Sequence, residues 1–151
     1  MDLIARLIRE HEDYVLKLNS LADTLEGISV NGRGEYFAET LDGLLRPLTT
    51  ELDDHAAREE EFLFPRLLER APDAQVPVML EEHQTIRALS ADYGRWYPLW
   101  RRGDDAAFQP LAETALDLRG KFSAHMQKEN LIVFPMARRI FTAEELAHLV
   151  E

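Results

Sequence analysis

His125 and Glu129, followed by Phe134-Pro135, repeat at the same offsets a set found earlier in the chain: His55, Glu59 and Phe64-Pro65. A His and a Glu four residues apart on a helix lie one above the other on one face. Turned inward, that face sets an imidazole beside a carboxylate in a core. Charged groups sit there almost only when paired or bound to a metal. Two further histidines, His11 and His83, stand alone, and each directly follows a glutamate, Glu10 and Glu82. His11 and His83 are 72 residues apart, and His55 and His125 are 70 apart. The chain reads as a helical hairpin used twice. A twofold axis along such a bundle would bring His11, His55, Glu59, His83, His125 and Glu129 to one level.

Four imidazoles and two carboxylates exceed the four ligands that satisfy a single zinc. They suit two adjacent metals, each taking two histidines and one oxygen from each of two bridging glutamates. Each metal would then be about five-coordinate, with a position open beside a shared water, hydroxide or oxo bridge. Imidazole with carboxylate suits iron, manganese or zinc, whereas softer metals want sulfur. On iron, open positions are where dioxygen, peroxide or nitric oxide would bind. The other four-helix dimetal plan needs Glu-x-x-His on two helices and a Glu on each of the others. Only Glu145 and His148 have that spacing, alone near the C-terminus.

The elements that must position these groups are helical. Met1 to Glu26 carries an apolar stripe of Leu3, Leu7, His11, Tyr14 or Val15, Leu18, Leu21 and Leu25, with Gly27 as its expected stop. Asn31 to Gly34 reads as a loop. Residues 35 to about 70 form a second, longer helix with Phe37, Leu41, Leu44, Leu48, Leu52 or Glu51, His55, Glu59 and Phe62 inward. Pro47 and Pro65 predict bends in it, or an end near Pro65. Pro77 opens a third helix, with Leu80, His83, Ile86 or Arg87, Ser90, Tyr93, Tyr97 and Trp100 inward, ending at Gly103. A fourth starts between Asp105 and Pro110 and places Leu111, Ala115, Leu118, Phe122, His125, Glu129, Ile132, Met136 and Ile140 inward. Thr142 with Glu145 makes a capping box for a short helix from Ala143 to Val150. Period-two alternation is absent. The expected fold is all-α: an up-down-up-down antiparallel four-helix bundle with a short C-terminal helix, forming a single domain over 1–151.

Composition narrows the function. The 151 residues are 46% apolar and 30% charged, with a net charge of −11. That balance argues against nucleic acid or an anionic membrane surface as partner. With no cysteine, disulfides, iron–sulfur clusters and thiol catalysis are excluded. The N-terminus does not resemble a signal peptide, and no apolar run is long enough to span a membrane, so the cytoplasm is the expected location.

The order His, His-x-x-x-Glu, His, His-x-x-x-Glu over four helices resembles the haemerythrin-like, or HHE cation-binding, family, from about Leu3 to Ile140. The resemblance implies a non-haem di-iron centre held by His11, His55, Glu59, His83, His125 and Glu129, with the glutamates bridging. It also implies a small ligand, either diatomic or peroxide, and a spread of roles from oxygen binding and nitric oxide or peroxide handling to iron sensing. Two other readings stand beside it: an iron- or oxygen-sensing module without turnover, and a zinc-stabilised bundle. Whether the chain is an enzyme is left open. Oxygen-carrying members place a further His one turn after the third-helix ligand, where this chain has Arg87, and a differently spaced Asp where it has Glu129. Both departures point away from reversible oxygen carriage, toward chemistry or sensing at the metals.

Several neighbours have plainer readings. Glu51 and Tyr14 fall near the ligand face, as an edge polar group and a core aromatic. Arg87 either neutralises an anionic centre or reaches solvent. Phe64-Pro65 and Phe134-Pro135 close the bundle. Trp96, Tyr97 and Trp100 belong to the core. Glu60, Glu61 and His148 are expected at the surface.

Overall fold

The computed structural model describes residues 1–150. Among these there is no strand, and four long helical rods make the bundle. The first, α1, is Leu3–Asn31. The second, α2, is a continuous rod over 35–70, made of α-helical Glu35–Arg46, Leu52–Arg58 and Phe64–Arg70 joined by π turns at Pro47–Glu51 and Glu59–Leu63. The third, α3, is Val76–Arg101. A 3₁₀ turn at Asp105–Ala107 leads into α4, which joins Phe108–Lys128 to Phe134–Ile140 through a third π turn, Glu129–Val133. A short helix, α5, is Ala143–Ala147, opened by the Thr142–Glu145 capping box. Around the bundle α1 packs on α2 and α4, and α3 packs on α4 and α2. No helix among the described residues is long and apolar enough to cross a membrane.

The proline positions explain two of the three π turns, Glu59–Leu63 and Glu129–Val133. Pro65 and Pro135 have no N–H to donate, and their rings crowd the carbonyl four residues back. Each rod answers by widening one turn. The amide of Phe64 donates to the carbonyl of Glu59, and that of Phe134 to Glu129, both five residues back. A π turn inserts one residue and so rotates everything after it. The second and fourth helices therefore run past their prolines without ending, but with a shifted inner face. Leu63 and Phe64 are buried where Phe62 was expected, and Val133, Phe134 and Ala137 where Ile132 and Met136 were expected.

Other departures have local causes. Gly27 does not stop α1. The helix runs on to Gly32, whose φ of 83° ends it. Gly27 is instead a close-approach residue: a Cβ there would lie 2.7 Å from the Phe37 ring on α2. On α3, Met79 is buried and Leu80 is exposed. The last helix stops at Ala147, short of Val150.

The interior falls into two apolar clusters. One runs from Tyr14 and Leu52 to the far end, with Leu25, Leu41, Trp100 and Leu111 among its members. The other gathers Leu7, Leu63, Phe64, Met79, Val133 and Phe134 with the C-terminal residues. Tyr97 and Trp100 are buried in the first cluster, and Trp96 packs against it. The buried layer that separates the two clusters is polar.

Candidate metal centre

His11, His55, Glu59, His83, His125 and Glu129 make up that layer, each 3% exposed or less. They divide into two overlapping quartets. His11 and His55 share Glu59 and Glu129 with His83 and His125, and within each quartet one donor atom from every residue lies within 4.8 Å of the others. His11 Nε2 is 3.1 Å from Glu129 Oε1, and His83 Nε2 is 3.1 Å from Glu59 Oε1. Along their own helices, His55 Nε2 is 3.7 Å from Glu59 Oε1 and His125 Nε2 is 3.3 Å from Glu129 Oε1. The six residues singled out by spacing are therefore the six that meet, and the paired glutamates sit between the two histidine pairs.

Each imidazole is held from behind. His55 Nδ1 donates to Glu10 Oε1 at 2.9 Å, His125 Nδ1 to Glu82 Oε1 at 2.8 Å, and His83 Nδ1 to Glu60 Oε2 at 2.7 Å. His11 Nδ1 meets Asn130 Oδ1 at 2.8 Å. A proton on Nδ1 leaves Nε2 as a bare lone pair. The Nε2 atoms face inward, toward carboxylate oxygens that also carry only lone pairs. Glu59 Oε2, both oxygens of Glu129 and His125 Nε2 are buried without a hydrogen-bond partner. Buried acceptors without donors are costly. A cation is what such a set lacks, and the nitrogen–oxygen donors match iron, manganese or zinc.

The electrostatics agree. Burial, together with the charge of Glu129, pushes the Glu59 carboxyl well above its usual range. Burial opposes ionisation of Glu129 too, but Glu59, His11 and His125 outweigh it and hold that carboxyl well below. Two adjacent buried carboxylates do not both ionise without a positive partner. Burial lowers His55 and His83, partly offset by Glu10 and Glu60. At His125 burial is outweighed by Glu129 and Glu82, so its value rises.

The supporting glutamates are themselves clamped. Arg58 reaches Glu10 at 2.6 Å, Lys128 bonds Glu82, and Arg87 forks onto Glu60 at 2.7 and 3.0 Å while also holding Asp53 at 2.6 Å. Arg87 thus acts behind His83, through Glu60. Glu60 corrects the surface reading given above: it is half-buried and bonded to a site histidine. The sequence did carry part of this signal, because Glu10 and Glu82 recur before the lone histidines. Nothing in the spacing marked Glu60 or Asn130.

Glu51 lies at the surface near Arg46. Tyr14 packs its ring against His55 and Phe122. Exposed His148 bonds the Glu144 carbonyl, far in sequence from the layer. Beside the site lies a cavity of about 10 Å³, lined by Leu52, Ala56, Ile86 and Phe122 and by His55, His83 and His125. That is room for about one water-sized molecule.

A family model described as the Hemerythrin HHE cation binding domain matches residues 2–145. No curated protein matches the chain.

Proposed function

Because the chain belongs to the hemerythrin HHE cation-binding domain family, we propose that it is a non-haem di-iron protein that binds or reduces a small oxidant: dioxygen, peroxide or nitric oxide. His11 and His55 would hold one iron and His83 and His125 the other, with Glu59 and Glu129, which belong to both quartets, supplying carboxylate oxygens to each. When bound, the pair of irons supplies electrons and open coordination positions to a small ligand. The chain supplies everything else. Glu10, Glu60, Glu82 and Asn130 orient the imidazoles. The two apolar clusters exclude water above and below the layer. The cavity bounded by Leu52, Ala56, Ile86 and Phe122 leaves room for about one water-sized molecule beside the layer, so only a small guest fits without side-chain movement.

The observation that carries this reading is the juxtaposition of unpartnered buried acceptors with a small cavity beside them. A purely structural ion would need the first and not the second. The test is to load metal-free protein with ferrous iron under anaerobic conditions and admit each oxidant in turn. The expected result is two irons per chain and a new near-ultraviolet band with at least one oxidant. A chain that takes up two irons and shows no spectral change with any of them would refute oxidant binding.

A further inference from the structure

The four supports behind the imidazoles are not equivalent. The internal repeat pairs Glu10 with Glu82: each precedes a lone histidine, and each bonds the histidine of the following helix, His55 and His125. It also pairs Glu60 with Asn130. Each follows a bridging glutamate, and each bonds a lone histidine, His83 and His11. Three of the four supports are carboxylates gripped by a cation. The fourth is the neutral amide of Asn130. The repeat breaks again one turn along. Arg87, four residues after His83, holds Glu60, whereas the residue four after His11 is exposed Val15.

This difference is chemical and not a matter of net charge, since each carboxylate support is balanced by its own Arg or Lys. A carboxylate accepts only, so it fixes the proton on Nδ1 and pushes electron density toward Nε2, which makes a stronger metal ligand. An amide oxygen also accepts, as Asn130 Oδ1 does from His11 at 2.8 Å, but it is uncharged and can exchange places with the amide nitrogen, so it adds less basicity and fixes the tautomer less firmly.

We infer that Asn130 makes the two metal positions unequal, so that the His83–His125 position fills first and the His11–His55 position holds its ion more weakly and exchanges it. This rests on the dimetal reading above. Loss of such a support altogether costs about 10–100-fold in metal affinity, so a neutral amide in place of a carboxylate sets the order by up to about a factor of ten. The second ion also enters against the charge of the first, which widens the gap.

The test uses zinc alone and the whole metal-free chain, followed by ¹⁵N NMR of the imidazole nitrogens. The first equivalent should shift the Nε2 signals of His83 and His125, and the second those of His11 and His55. Asn130→Asp, a change at an exposed position, should narrow the two affinities to within a few-fold and spread the first equivalent over all four rings. Glu60→Gln should do the same from the other side. A wild-type first equivalent shared evenly, or taken by His11 and His55, would overturn the inference. So would an Asn130→Asp chain that keeps the wild-type order. Four rings unmoved at two equivalents would instead dispose of the dimetal reading itself.

Discussion

Phe134 stacks on His11 with ring centroids 5.4 Å apart and planes 23° from parallel, and Phe64 repeats the contact on His83 at 5.6 Å and 28°. Both phenylalanines directly follow a π turn that starts at a glutamate of the buried layer, Glu59 or Glu129. The extra residue in that turn lets one stretch of helix place Glu inward and then swing Phe over a ring on a different helix. The turn, the proline after it and the stacked ring are one device, used twice.

Truncating either ring should damage both the fold and the site. Phe134→Ala and Phe64→Ala are each expected to lower stability by about 3–5 kcal/mol, the usual range for a buried phenylalanine. Phe134→Leu keeps most of the volume and should lower it by less than about 1.5 kcal/mol. It should still weaken metal held by His11, whose ring loses its flat neighbour. Urea unfolding of the metal-free chain, set beside chelator competition, separates the two effects. Equal metal affinity in Phe134→Leu and wild type would show that the stack only fills space.

Glu59 predicts an unusual separation of fold from site. Burial and Glu129 favour its neutral form in the metal-free chain. Glutamine has nearly the shape and polarity of a neutral carboxylic acid. Glu59→Gln should therefore change metal-free stability by no more than about 1 kcal/mol. Metal binding should fall by more than about 100-fold, because loss of a ligand exceeds loss of its support. The stabilisation that metal confers on unfolding should shrink in step. A metal-free variant that unfolds far more easily than wild type would mean that Glu59 is charged there after all.

Why the six residues of the buried layer were legible in the sequence, and their supports were not, follows from geometry. Within a helix, spacing of three or four maps directly onto one face, so His55 with Glu59 and His125 with Glu129 declared themselves. The repeat then located His11 and His83. Supports reach across between helices: Glu10 to His55, Glu60 to His83 and Asn130 to His11 are 45, 23 and 119 residues apart. No local period encodes such pairs. The same holds for Gly27, whose lack of a side chain answers Phe37 on the next helix and not the end of its own. The shift at Ile132 and Val133 was hidden because a stripe is read with a constant 3.6-residue period. A π turn breaks that period at the very residues where proline forces it.

Asp2 should confer an acid-sensitive part of the stability. Its carboxylate caps α1 by accepting from the Ala5 amide at 2.8 Å and pairs with Arg138 on α4 at 3.1 Å. Partial burial would raise its pKa, but these two partners outweigh that and lower it. A carboxyl whose folded value lies below its unfolded one stabilises the fold above the unfolded value, near 3.9, and loses that contribution as the pH falls through the folded one. Asp2→Ala should lower stability by about 1 kcal/mol at pH 7. Most of that comes from the cap, since the Arg138 pair is partly solvated and screened. The gap between variant and wild type should close as the pH drops below about 4. A gap that stays constant down to pH 2 would assign the effect to packing.

Ile86 borders both the site's cavity and a cleft at the surface. It lines the small cavity beside His55, His83 and His125, and it also lines a surface cleft of about 510 Å³ between α3 and α4, together with Thr85, Gly120 and Ala124. No other residue besides Ile86 lines both. Ile86→Ala should join the two spaces, at a loss of about 2–4 kcal/mol in stability. In iron-loaded protein it should speed nitric oxide association several-fold, because the guest no longer waits for a side chain to move. Ile86→Phe should slow association, and Ile86→Val should fall between wild type and Ile86→Ala. Stopped-flow mixing under anaerobic conditions gives the rates, and two irons per chain in every variant shows that the site itself is unchanged. Association rates that ignore the size of residue 86 would mean that small ligands reach the layer by another way.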